Sequence, residues 1–148
     1  MKGRQVTVVS QRYSPEERAV MALEFATASA ALGGGILLVL RPDGAFLHSD
    51  PSVLRRTPFR NWWFPGLLLA AGCGGGYLTA GMLHFRRHRA ARAVSVAAGL
   101  ALIGLEAWEV AFVEFQPLEA VFAGIGAAVV VLALRLPRGG ASCSRPRP

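Results

Sequence analysis

Glu106 and Glu109 stand three residues apart in a largely apolar stretch, 93–113, so a helix there carries both carboxylates on one face. Glu24 lies within another apolar stretch, 19–40, while Glu114 and Glu119 fall at a boundary between stretches. An ionised carboxylate deep in a bilayer costs on the order of 3 kcal/mol, so each of these acids needs a physical reason for its place. Two acids on one face in low dielectric can hold a proton between them and serve as a relay or a cation site. The alternative is structural: the acids are protonated, bonded to Ser, Thr, Trp or backbone groups across helices, or paired with Arg41 or Arg60. Glu24 has His84 and Arg92 as candidate partners near the other end.

Other chemistries find less in the chain. His84 and His88 are spaced i,i+4 and could together hold a metal, but the surrounding Arg86-Arg87-His88-Arg89 opposes a cation, and His48 is expected on the opposite membrane face. Cys73 falls in an apolar stretch and Cys143 in the tail, without a CxxC spacing, so neither a disulfide nor a metal site is expected. Gly33-Gly34-Gly35 and Gly74-Gly75-Gly76 are not followed by Lys-Ser/Thr, so they are not phosphate loops; each can loosen a helix locally. No nucleophile-elbow or zinc-protease signature is present. The expectation is a protein that is not an enzyme, with no catalytic residue, metal or cofactor.

The elements that must position the acids follow from hydropathy. Four apolar stretches, 19–40, 65–85, 93–113 and 117–134, each approach the roughly 20 residues a helix needs to cross a bilayer. A hydrophobic content of 53% and only 17% charged residues agree with a membrane protein, since soluble domains carry about 25% charge. The predicted fold is all-α, a four-transmembrane-helix bundle running up-down-up-down over 18–136. It has an amino-terminal segment 1–17, a loop 41–64 and a disordered tail 137–148. The first apolar run begins only after Arg18 and is longer than a signal-peptide core, so the first span is expected to be retained.

Charge orients the bundle. Lys2, Arg4, Arg12, Arg18, Arg86, Arg87, Arg89, Arg92, Arg135, Arg138, Arg145 and Arg147 fall on one side, and only Arg41, Arg55, Arg56 and Arg60 on the other. The positive-inside rule then places both termini in the cytoplasm. The net charge of +7 is spread along the span flanks, a pattern that suits anionic lipid head groups and argues against nucleic acid. Ser14-Pro15-Glu16-Glu17 reads as a helix start, and Arg41-Pro42-Asp43-Gly44 as its stop and turn. Ser52 to Arg56 reads as a short interfacial helix, and Trp62-Trp63-Phe64-Pro65 as an aromatic anchor at head-group level. Gln116 and Pro117 mark a tight hairpin before the fourth span.

Small residues recur at four-residue spacing: Ala26, Ala30 and Gly34; Gly72, Gly76 and Ala80; Ala120, Gly124 and Ala128. Such ridges let helix backbones approach closely, here within one bundle, or else toward a second copy or a larger membrane partner.

In the order Pro42-Asp43-Gly44, Thr57-Pro58-Phe59, Pro65-Gly66, Arg86-Arg87-His88-Arg89, Ala98-Gly99, Glu109 and Gln116-Pro117-Leu118, the chain resembles an uncharacterised family of small bacterial four-helix integral membrane proteins over about residues 18–136. The resemblance implies a multi-pass protein of the bacterial cytoplasmic membrane and carries no activity, cofactor or catalytic residue; Glu106 departs from the family pattern. The reading is a non-enzymatic structural or accessory protein of the lipid bilayer, with a small proton-coupled transporter or channel using Glu106 and Glu109 as the rival.

Overall fold

The computed structural model describes residues 13–112 and 117–136, and among these every regular element is helical, with no strand. Gln116, Glu114, Cys143, the segment 1–12 and the tail 137–148 lie outside the described residues.

Helix α1 spans Pro15–Leu40 and starts where the capping signal places it. The Glu17 N–H donates to Ser14 Oγ at 3.1 Å and the Ser14 N–H to Glu17 Oε2 at 2.7 Å, a reciprocal box that satisfies two otherwise orphaned donors. The chain then turns at Gly44, whose φ of 73° suits a residue without Cβ, and makes two short 3₁₀ turns, Ala45–Leu47 and Pro51–Arg56. The short helix expected near Ser52 therefore exists, wound more tightly than an α-helix.

Helix α2 runs Trp63–Phe85, and its middle, Leu68–Gly74, is wound as a π-helix in which the Gly75 N–H reaches back to the Ala70 carbonyl. Of the two glycine triplets expected to loosen their helices, only Gly74 falls within this π segment; Gly75 and Gly76 and the whole of Gly33-Gly34-Gly35 remain α-helical. Helix α3 covers Ala91–Phe112 and helix α4 covers Pro117–Arg135. The helices Pro15–Leu40, Trp63–Phe85 and Ala91–Phe112 are long and apolar enough to cross a membrane.

Each helix packs on the next, and α4 returns to α1; the α1–α2 and α3–α4 contacts are the most extensive. Glycine sets how close they come, but not the glycines of the predicted ridges. A Cβ on Gly35 would lie 2.5 Å from the Gly66 carbonyl oxygen, and one on Gly99 would lie 2.8 Å from that of Gly126. At Gly72, Gly76 and Gly124, by contrast, an added Cβ meets nothing within 4 Å, and at Gly34 only Leu69 at an ordinary 3.7 Å. Within this chain the closest approaches therefore do not run through Gly34, Gly72, Gly76 and Gly124. Close approach runs through Gly35, Gly66, Gly99 and Gly126; Gly35 is one residue and Gly126 two residues from an expected ridge position, and a step of one residue turns a helical position by about 100°.

Polar and apolar side chains are distributed inside out relative to a water-soluble bundle. Glu24, Thr27, His84, Ser95, Glu106 and Glu119 are buried, while Leu40, Leu100, Val121 and Leu134 are each more than half exposed. Two ends can be distinguished: a loop end, carrying residues 41–62, and a turn end, where α2 passes into α3. At the turn end Tyr13 Oη donates to the Phe85 carbonyl at 2.9 Å, and the Arg87 guanidinium lies over the Tyr13 ring.

Candidate functional site

At the loop end the helices splay around a chamber of about 340 Å³, within the size range of small-molecule sites. All four helices contribute to it: Thr27 and Ala31 from α1, Leu69 and Cys73 from the π segment of α2, Glu106 and Glu109 from α3, Glu119 and Phe122 from α4. The loop closes over it with Leu47, Ser49, Leu54 and Trp62.

That roof is built, not draped. Trp62 donates its backbone N–H to the Pro42 carbonyl at 2.9 Å and its indole Nε1–H to the Ser49 carbonyl at 3.1 Å. Leu54 is buried, and Phe59 stacks on Phe64 and edges onto Trp108, tying the loop to α2 and α3. Asp43 accepts from the Ala45 N–H at 3.2 Å and pairs with Arg41 at 3.1 Å; the Arg41 guanidinium and the backbone donor hold its carboxyl below the usual carboxylate range. Asp43 and Gly44 therefore shape the roof. Of the two expected anchor tryptophans, Trp63 is exposed and Trp62 faces the chamber.

Three carboxylates meet there. Glu106 and Glu109 share one face of α3, as their spacing requires, and each lies within electrostatic reach of Glu119. Glu119 sits in the first turn of α4, where unpaired backbone N–H groups favour an acid, and the antiparallel α3–α4 pair carries it to the chamber. Its Oε2 is buried without a hydrogen-bond partner. Among the described residues no cation pairs with Glu106, Glu109 or Glu119; Arg41, an expected partner, is engaged by Asp43 instead. The indoles of Trp62 and Trp108 and the ring of Phe122 supply apolar walls with π faces. Such a chamber can hold a small organic cation, the charge against the acids and the hydrocarbon against the rings.

Glu24, expected to reach His84 or Arg92 near the other end, stands apart from the chamber. It is fully buried toward the turn end, where the Ser95 hydroxyl from α3 donates to its Oε1. Ser95 Oγ also lies 2.9 Å from His84 Nε2 on α2, and His84 Nε2 is 3.8 Å from Glu24 Oε1. Of the two partners foreseen, His84 is thus the one within reach; Arg92 extends toward the Leu136 carbonyl at 3.5 Å. Glu24 Oε2 and the Tyr77 hydroxyl are buried without partners. His48 is exposed and Pro117 opens α4. Among the described residues no group of three His, Cys, Asp or Glu is placed to hold a metal.

Sequence reasoning missed Glu119, Ser95, Tyr77 and Trp62 as site residues. A hydroxyl at Ser95 amid apolar residues was the available signal for the Glu24 cluster, and an acid two residues after Pro117 was the signal for the chamber.

No protein-family model matches the chain, and neither a curated protein nor a solved structure matches it.

Proposed function

We propose that this protein is a four-span, up-down-up-down membrane bundle whose loop-end chamber binds small organic cations and works as a proton-coupled transporter. The observation that carries the reading is the chamber itself: carboxylates of Glu106, Glu109 and Glu119 without cationic partners, one Glu119 oxygen buried with nothing bonded to it, and aromatic walls beside them. A purely architectural acid would find a partner within the fold, because an unpartnered buried polar atom costs about 1–3 kcal/mol. The inside-out placement of polar and apolar residues supports a hydrocarbon surround. The arginine distribution supports a cytoplasmic turn end and a chamber facing away from the cytoplasm, in a bacterial cytoplasmic membrane.

Benzyltrimethylammonium tests the reading, because it has a fixed charge and one aromatic ring. Titrated into the protein in lipid nanodiscs, it is expected to quench tryptophan emission saturably, and Glu119→Gln is expected to weaken binding at least about tenfold, since one of the chamber's charges is gone. No saturable binding to the wild type, or an unchanged affinity in Glu119→Gln and Glu106→Gln alike, removes the reading.

The accessory role retains one specific support, the exposed glycines Gly72 and Gly124, which face away from the described helices and leave room for a partner helix or a second copy. Gly124→Leu separates the two: an accessory surface loses its partner, whereas chamber binding is unaffected.

A further inference from the structure

We propose that Glu24, Ser95 and His84 form a second site, which binds the coupled proton and hands it toward the turn end when a cation fills the chamber. The inference rests on the chamber reading above and adds where the proton resides.

The geometry has the parts of a relay. Glu24 and His84 both contact the one hydroxyl of Ser95, which stands at the corner between them. Ser95 Oγ is also 2.9 Å from the Ala91 carbonyl, so its single proton has three acceptors to choose among. With the proton on Glu24, the carboxyl O–H donates to Ser95 Oγ and the Ser95 O–H to His84 Nε2. In the transfer, the Glu24 O–H bond breaks as its proton joins Ser95 Oγ, and the Ser95 O–H bond breaks as its proton joins Nε2. The serine is neutral before and after; the products are the Glu24 carboxylate and the His84 imidazolium, an ion pair separated by 3.8 Å. His84 lies in the last turn of α2, where the helix dipole favours a cation, and Glu17 is within electrostatic reach of it at the turn end. The imidazolium then loses its proton toward that end.

The site is connected to the chamber without being part of it. Thr27, in the chamber wall, is one turn along α1 from Glu24, about 4.5 Å of axial rise. Cys73 lines the chamber and Tyr77 lies one turn further along α2, its hydroxyl buried without a partner and within electrostatic reach of both Cys73 and Glu24. Between the two sites Ala28, Tyr77, Leu102 and Val129 form the packed core. The groups at the site are therefore Tyr77 and His84 from α2, Ser95 from α3 and Glu17 from α1 toward His84, while α4, which packs on α1, carries the buried apolar Val129 and Ala133. A cation in the chamber favours the ionised Glu24 carboxylate a few turns away across a dry core, so cation binding and the proton on Glu24 disfavour each other. Glu24 Oε2, at zero exposure and unpartnered, leaves the carboxylate with the Ser95 hydroxyl as its hydrogen-bond partner.

The test follows protons and cation together. Protein in nanodiscs, in weak buffer with a pH indicator, is titrated with benzyltrimethylammonium, and proton release and tryptophan quenching are read in the same cuvette. The expected result is that the wild type releases a proton with each cation bound. Glu24→Gln and His84→Gln should bind the cation and release none, and their elution and thermal melting show whether they are folded. Release from Glu24→Gln equal to wild type overturns the inference and assigns the proton to the chamber acids. Binding without release in the wild type overturns it as well. Absence of binding in the wild type removes the chamber reading and this inference together, which distinguishes the two failures.

Discussion

Replacing Gly99 by alanine should destabilise the fold, and replacing Gly124 by alanine should not, although both lie in the same helix pair and only Gly124 belongs to a small-residue ridge visible in the sequence. At Gly99 the new Cβ would stand 2.6 Å from Val130 Cγ2 and 2.8 Å from the Gly126 carbonyl oxygen. Restoring contact distances of about 3.5 Å requires α3 and α4 to part by roughly 0.7–0.9 Å at their crossing. Val130 cannot easily turn aside, because a β-branched side chain in a helix has one strongly preferred rotamer, and the carbonyl belongs to the backbone. Overpacking of this kind costs about 1–3 kcal/mol. At Gly124 nothing lies within 4 Å of the new atom. Helix propensity offers little gain there if the unfolded chain keeps its helices in the membrane, so the change should stay within about 0.5 kcal/mol of zero. Reversible unfolding by dodecyl sulfate in mixed micelles, followed by circular dichroism, measures both. Equal effects, or a larger loss in Gly124→Ala, would show that α3 and α4 cross on the other face and that the close approach at Gly99 is wrong.

Gly44→Ala is expected to loosen the chamber roof, because the Cβ would lie 2.0 Å from the Ser49 carbonyl oxygen at a φ of 73°. A red-shifted Trp62 emission and weaker cation binding are the readouts, and unchanged values in both remove the roof's role. Asp43 is held below its ordinary value by Arg41 and the Ala45 N–H, so its contribution to the turn is present above the unfolded-state pKa and lost as pH falls through the lower folded one. The Ala45 amide resonance should therefore keep its position from neutral pH down past the usual carboxylate range and move only below it. A shift centred at the ordinary aspartate value contradicts the pairing.

Much of this architecture is legible in residue order, because it depends on local terms. Hydropathy places the helices to within a few residues, and the Ser14 cap and the Asp43-Gly44 turn are where local hydrogen bonding puts them. The Glu106 and Glu109 pairing follows from helical spacing alone. What fails is everything set by rotation about a helix axis. The step from Gly34 to Gly35 changes the face by about 100°, and four-residue spacing is equally consistent with an inward or an outward ridge. Glu119 escaped for a related reason. Its position at a span boundary is ambiguous until the α3–α4 hairpin shows which way the first turn points. The π segment of α2 is likewise invisible to periodicity, since it reflects how Leu68–Gly74 seats against α1.

The two glycine crossings divide the molecule unequally. Gly35 against Gly66 clasps α1 to α2, and Gly99 against Gly126 clasps α3 to α4, so the described helices form two closely packed forks joined along a less extensive seam. The chamber opens where the forks diverge. Near the other end the seam is stitched by a single hydroxyl, Ser95, whose proton bonds α3 to α1 or leaves α3 facing α2. Ser95 thus ties the helix pair that carries it to both helices of the pair that carries Glu24 and His84.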